Sequence, residues 1–225
     1  MLKKLLNRAG YDIRRSEEIY LNSLRQFDYG KIFNQLLYLS EQYKKVEHLS
    51  GDIVECGIGY SRTFQVLACL VRKENKAHRT LYGFDSFEGF PEPHLEDKSV
   101  RNPKKGEWKV LTPAQLHRIL VQLRLGEEFV DTHIRVVKGF FEDTLPQTDV
   151  KEIALLHLDV DLYQSYKTCL ELLFPKVVQG GMVLFDEYET PNWPGAKKAI
   201  DEYFKGTAYR LQKHLDTGKY FLIKA

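Results

Sequence analysis

From Asp52 onward the chain repeats one pattern: a short apolar run of strand length, a turn, then apolar positions at helical spacing. The pattern predicts strands at Asp52–Cys56, Thr80–Phe84, His133–Lys138, Ile153–Leu158 and Met182–Phe185, the last entered through a turn at Gly180–Gly181. Helices are predicted from about Ser61 to Lys73, from the Thr112–Pro113 cap onward, from about Tyr163 to Phe174 and over Ala196–Phe204. Tyr209–Leu211 and Tyr220–Ile223 predict a closing hairpin. Alternating strands and helices predict a mostly parallel sheet covered on both faces, hence an α/β, Rossmann-like doubly wound sheet of seven strands. Ahead of it, Ile32, Phe33, Leu36, Leu37, Leu39, Tyr43 and Val46 recur at helical spacing and lead into a Ser50–Gly51 turn. The reading divides the chain into a helical extension, 1–50, and an α/β domain, 51–225. A polar stretch from Ser86 to Val110, with Pro91, Pro93, Pro103 and Gly106, is too long for a simple connection and reads as a lid or substrate loop.

Composition narrows the function classes. The chain has 225 residues, 43% of them hydrophobic, which is enough to bury a core without disulfides or metal staples. Thirty-three Lys and Arg against 31 Asp and Glu leave +2, so charge makes no case for nucleic acid. Cys56, Cys69 and Cys169 form no metal-binding pair and read as buried thiols of a cytoplasmic protein. No apolar run approaches the roughly 20 residues of a membrane span. Met1–Arg15 mixes Lys3, Lys4, Arg8, Arg14 and Arg15 with Leu2, Leu5, Leu6 and Ile13, yet lacks the long apolar core of a secretory signal. It reads as a solvated arm packing on its own domain or on a second copy in a homodimer; the alternative is a weak membrane-surface helix.

The first strand ends in Glu55-Cys56-Gly57-Ile58-Gly59-Tyr60-Ser61. Two glycines at a helix N-terminus let backbone approach a ligand closely. A dinucleotide site would continue as GxGxxG; here Ser61 and Arg62 follow, and an acid precedes the first glycine. That acid suits a cofactor carrying an ammonium and a sulfonium better than a pyrophosphate. The second strand ends at Asp85-Ser86, where a carboxylate can accept both ribose hydroxyls. After the third, Gly139 and Phe140 (or Phe141) could lie along an adenine. The cofactor set is therefore Glu55, Gly57, Gly59, Ser61, Asp85, Ser86, Gly139, Phe140 and Asp159.

The fourth strand runs into Asp159-Val160-Asp161 and the fifth into Asp186-Glu187. Neighbouring strands would bring Asp159 and Asp186 to adjacent tips, where several carboxylates need a cation such as Mg²⁺ to coexist. Asp159, Asp186 and Glu187 are the expected metal set. Asp161 would face away and cap the following helix. A metal also lowers the pKa of a poorly nucleophilic hydroxyl, and an adjacent carboxylate takes its proton. Asp159 is the first choice for that base, with His157 in reserve; a satisfied core histidine is the competing reading of His157.

Four ordered blocks carry a resemblance: Gly51–Gly57, Phe84–Pro91, Lys138–Pro146 and Leu158–Tyr163. Together they resemble the macrocin O-methyltransferase (TylF/MycF-like) family over roughly Gly51 to Phe204. The resemblance implies a class I methyltransferase fold, S-adenosylmethionine, Mg²⁺ dependence and methylation of a hydroxyl on a sugar-like small-molecule acceptor. The family's metal triad maps onto Asp159, Asp186 and Glu187, with Glu187 standing where other members carry a second Asp. Gly57-Ile58-Gly59-Tyr60-Ser61 replaces a Trp-Arg-Gly-Gly type of turn.

Three rival readings remain at this level. Asp159-Val160-Asp161 is a DxD, as in metal-dependent glycosyltransferases, but that reading leaves Glu55 and Asp85 unused. A non-catalytic binding subunit of the same fold leaves the acids unused. A nicotinamide dehydrogenase lacks its GxGxxG.

Overall fold

The computed structural model describes residues 29–74 and 79–225. The reading of Met1–Arg15 lies outside the described residues. Helix α1 (Tyr29–Val46) precedes β1 (Asp52–Cys56), α2 (Arg62–Glu74) and β2 (Leu81–Asp85). After a long connection come α3 (Pro113–Gln122), α4 (Glu127–His133), β3 (Ile134–Lys138) and the single turn α5 (Phe141–Thr144). The second half is β4 (Ile153–Leu158), α6 (Tyr163–Leu173), β5 (Val177–Phe185), α7 (Pro194–Phe204), β6 (Gln212–Lys213) and β7 (Tyr220–Ile223).

The seven strands form one sheet in the order β3-β2-β1-β4-β5-β7-β6. Strands β1 to β5 pair in parallel, and β7 runs antiparallel to both β5 and β6. This is the class I methyltransferase sheet. Its core follows from period two. Val54, Leu156, Val183 and Leu222 face α6 and α7, meeting Tyr166, Leu170, Ala199 and Ile200. Their neighbours Ile53, Leu155, Leu184 and Phe221 face the other way, onto Tyr38 and Leu39 of α1, Phe64 and Leu67 of α2 and Leu116 of α3. Two residues one step apart in each strand thus serve two separate apolar layers.

Several local expectations need correction. Gly180 and Gly181 do not turn into β5; they lie inside it, because the strand starts at Val177 and the backbone bends at Gly180 (φ +79°). Gly181 has no room for a side chain against Val177 and the Val178 carbonyl. The first hairpin strand is Gln212–Lys213, after the expected Tyr209–Leu211, since Tyr209 and Leu211 pack on the α6–α7 layer instead. His133 ends α4 rather than opening β3. Cys69 is exposed, whereas Cys56 and Cys169 are buried as expected. The cap of α3 forms as read: Thr112 and Gln115 exchange side-chain-to-backbone hydrogen bonds behind Pro113, a pairing worth about 1 kcal/mol.

The 86–110 connection is folded. Phe90 N donates to Glu107 O (2.8 Å) and Gly106 N to Phe90 O (3.0 Å), closing it into a loop. Asp97, only 2% exposed, accepts from Tyr163 N (2.8 Å) and so caps α6 from a distance. No helix among the described residues is long and apolar enough to cross a membrane.

Candidate functional site

A cavity of about 750 Å³ opens over the carboxyl ends of the strands, where open α/β sheets place ligands. Its volume falls in the range of roughly 300–1,000 Å³ typical of small-molecule sites. Gly57, Ile58 and Gly59 form one edge. Gly57 sits at φ +85°, and a Cβ there would fall on the Asp159 carbonyl oxygen; Asp159 N in turn donates to Cys56 O (3.0 Å). The glycine turn and the start of the acidic segment are therefore one backbone crossing. Gly59 (φ +49°) has nothing within 4 Å of its Cβ position and faces open space.

The expected cofactor residues separate into two layers. Gly57, Gly59, Asp85, Ser86, Gly139, Phe140 and Asp159 all line the cavity. Ser61 and Glu55 do not. Ser61 is fully buried and its hydroxyl accepts from Gln65 Nε2 (2.9 Å). Glu55 is fully buried beneath the floor, with Oε1 2.8 Å from His157 Nδ1 and Oε2 without a hydrogen-bond partner among the described residues. The parallel register sets Glu55 directly beside His157. His157, 2% exposed, is thus a bonded core histidine that also lines the cavity.

Asp85 is busier than a ribose ligand alone would be. Its Oδ2 accepts from Ile58 N (2.8 Å) and Gly59 N (3.0 Å), and its Oδ1 from Phe87 N (2.6 Å). The carboxylate ties the glycine turn to the loop after β2. Of its roughly four acceptor positions, three are taken by backbone amides.

The acids meet at the tips of β4 and β5. Carboxylate oxygens of Asp159, Asp161 and Glu187 lie within 4.8 Å of one another. Asp161 does not cap α6 as expected. It takes φ +58°, and Leu162 N donates to Val160 O (2.6 Å), so the chain makes a tight three-residue turn that returns the side chain to the side of Asp159. Asp186, expected in the metal set, is not one of these three: it hydrogen-bonds with Glu187, and Lys219 Nζ is 2.5 Å from its Oδ2 and 2.9 Å from its main-chain O. The antiparallel pairing of β5 with β7 brings that lysine across. Glu187 is placed by Tyr166, whose hydroxyl is 3.0 Å from Glu187 Oε2 and 3.0 Å from Leu158 O.

Crowding sets the electrostatics. Burial, then Asp186, Asp161 and Glu55, push the Asp159 carboxyl well above the usual carboxylate range. Burial and Asp186 bring Asp161 up to about 7. Glu187 is raised well above its usual value by burial and by Asp186 and Asp159. Burial acts upward on Asp186 too, but Lys219 and a hydrogen bond from Glu187 leave it below the ordinary value. Four acids against one close ammonium is a donor set of hard oxygens short of positive charge, which fits a divalent cation. Asp159, Asp161 and Glu187 could hold it.

The 86–110 stretch, read from the sequence as a lid or substrate loop, supplies part of the walls. Tyr60 and Trp108 meet edge to face at 5.6 Å, and Phe90 and Trp193 at 5.7 Å. All four line the cavity, as do Asn34, Gln35 and Tyr38 of α1 and Asp216 and Thr217 of the β6–β7 hairpin. Aromatic residues in the proline-rich loop were the one available signal.

The family described as macrocin-O-methyltransferase (TylF) matches residues 33–217. The chain is 32% identical over 160 residues to demethyldecarbamoylnovobiocin O-methyltransferase of Streptomyces niveus, covering 69% of this chain and 59% of that one. It is 25% identical over 197 residues to mycinamicin III 3''-O-methyltransferase of Micromonospora griseorubida, covering 85% and 75%. The match thus spans about three-fifths of the first relative's length. Among solved structures, that of CalS11, a calicheamicin methyltransferase, superposes with a TM-score of 0.78 at 27% identity, covering 99% of this chain and 89% of that chain.

Proposed function

The chain belongs to the macrocin O-methyltransferase family, and from that membership we propose that it transfers the methyl group of S-adenosylmethionine to a hydroxyl of a glycosylated small molecule. One observation carries the proposal. A single cavity is lined both by the glycine turn with Asp85 and by Asp159, Asp161 and Glu187. A cationic sulfonium is drawn to such an acidic pocket, and the donor and the acceptor's hydroxyl are then neighbours.

The residues divide the work. Backbone at Gly57 to Gly59 approaches the cofactor, Asp85 holds the turn and shares its remaining acceptor capacity with a ribose, and Gly139 and Phe140 border the base. The acceptor oxygen forms its bond to the methyl carbon as the carbon–sulfur bond breaks. The sulfonium leaves as a neutral thioether, and the hydroxyl proton passes to a carboxylate, which we assign to Asp159. Asp159, Asp161 and Glu187 would hold a divalent cation such as Mg²⁺, whose charge lowers the pKa of a nearby hydroxyl. The Glu55–His157 pair supports this floor from below, leaving His157 a weaker candidate for the base. The relatives' names favour a sugar hydroxyl: the mycinamicin enzyme is named as a 3''-O-methyltransferase.

The test is methyl transfer from labelled S-adenosylmethionine into a panel of glycosides and nucleotide sugars, with Mg²⁺ and with a chelator. Transfer to at least one sugar hydroxyl, lost on chelation, is the expected result. Failure to bind S-adenosylhomocysteine would end the proposal.

A further inference from the structure

The fold delivers an ammonium into the acidic cluster. Strand β7 pairs with β5 so that Tyr220 stands opposite Phe185, and Lys219 and Asp186 meet one step beyond that rung. The hairpin turn fixes the lysine from its own side. Gly218 N donates to His214 O and His214 N to Lys219 O, both at 2.8 Å. Lys219 N donates to Thr217 Oγ1 (3.3 Å), and His214 Nε2 lies 3.2 Å from Glu41 Oε2 of α1. Among the described residues that line the cavity, Lys219 is the one lysine. Its side chain is 25% exposed and that of Asp186 17%, so water screens the pair far less than a surface ion pair.

The ammonium sits one carboxylate away from the trio. It holds Asp186 at the carboxylate (2.5 Å) and at the main-chain oxygen (2.9 Å). Asp186 in turn shares a hydrogen bond with Glu187, whose oxygens lie with those of Asp159 and Asp161. The Lys219 charge acts on Asp159 and Asp161 as well as on Asp186 and Glu187. An ammonium and a dication compete for the same carboxylates. A carboxylate already neutralised has less to offer a metal, and a fixed positive charge this close repels a second one.

Resting on the function proposed above, we propose that Lys219 is a positioning residue for the divalent cation: it occupies Asp186, keeps that carboxylate out of the coordinating set, and confines the cation to Asp159, Asp161 and Glu187. The confinement has a direction. Strand β5 lies between β4 and β7, whereas Asp159 follows β4 and shares its backbone crossing with Gly57. A cation kept off Asp186 is kept toward the glycine turn, the side on which the sulfonium donor is proposed to bind.

The test reads metal binding on the whole chain without substrate. Mn²⁺ is titrated at one fixed pH and free ion is followed by electron paramagnetic resonance. Lys219→Met removes the repelling charge and releases Asp186, so Mn²⁺ should bind about tenfold more tightly or better. In the double variant D186N/K219M both charges are gone, and affinity should return to within about threefold of wild type. Lys219→Arg keeps the charge and should also stay within about threefold of wild type. Unchanged or weaker binding by K219M would overturn the role, as would a gain that persists undiminished in the double variant. If K219M does not fold, the double variant decides alone: loss of about tenfold or more in affinity there would make Asp186 a ligand in its own right. Calorimetry with S-adenosylhomocysteine separates the levels of failure. Wild type that binds S-adenosylhomocysteine but no Mn²⁺ ends both the metal assignment and the role of Lys219, leaving the cofactor site standing. Wild type that binds both, with K219M unaltered, ends the role of Lys219 alone.

Discussion

A side chain on Gly57 would collide with the main-chain carbonyl of Asp159, so the glycine turn and the acidic segment cannot be moved independently. Gly57→Ala must relieve both a backbone clash and a left-handed conformation (φ +85°). The expected cost is roughly 2–4 kcal/mol of stability, the sum of an overpacking and a conformational penalty. Gly59→Ala is the control. Its Cβ meets nothing within 4 Å, so only the conformational part, about 1 kcal/mol, applies. Denaturant midpoints for the two variants should differ in that order; equal midpoints would mean the crossing is not as tight as described.

Asp85 links two functions that one substitution should separate. Asp85→Ala frees the amides of Ile58, Gly59 and Phe87 and removes the proposed ribose acceptor. Cofactor binding should weaken by about 1–3 kcal/mol, as expected for hydrogen bonds to a charged acceptor, and the melting temperature should fall as the turn loosens. Calorimetry with S-adenosylhomocysteine checks the first effect and thermal unfolding the second. Unchanged cofactor affinity would reduce Asp85 to a turn-holding residue.

What the sequence reveals here is local. The glycine turn, Asp85 and the acids sit at strand ends, and strand ends are marked by where apolar runs stop. What it conceals depends on register and on backbone turns. Lys219 lies 33 residues after Asp186 and reaches it only because β7 folds back on β5. Extended-strand alternation sends Asp161 outward, yet one residue at positive φ returns it to the cluster. Glu55 reads as a cofactor ligand from spacing alone; parallel register instead buries it against His157.

The raised acids give the metal-free protein a defined pH dependence. Asp161 keeps its proton to about pH 7 when folded but only to about pH 4 when unfolded. Between those values the folded state holds the extra proton, so stability falls as pH rises through the window and levels off above it. Asp159 and Glu187 act in the same direction. Asp186, held low beside Lys219, acts oppositely, adding stability above the ordinary Asp pKa and losing it on acidification. Three raised groups against one make the net slope downward. In chelator, the melting temperature should drop between about pH 5 and 7.5. Mg²⁺ should restore it at the upper pH and change little at the lower, because only ionised carboxylates bind the cation. A melting temperature flat across this range, with and without Mg²⁺, would contradict the clustering.

Asp159→Asn tests the assigned base with the least disturbance to shape. The amide keeps the volume of the carboxylate, and the backbone contacts to Cys56 and Gly57 do not involve the side chain. Only the ability to take a proton, and one negative charge of the trio, are removed. A lost general base lowers kcat by about 10²–10⁴, while cofactor affinity should stay within a few-fold because the glycine turn and Asp85 are untouched. Single-turnover transfer measured beside S-adenosylhomocysteine titrations separates the two. Loss of cofactor binding with the intrinsic rate preserved at saturation would make Asp159 a binding residue and move the proton acceptor to Asp161 or His157.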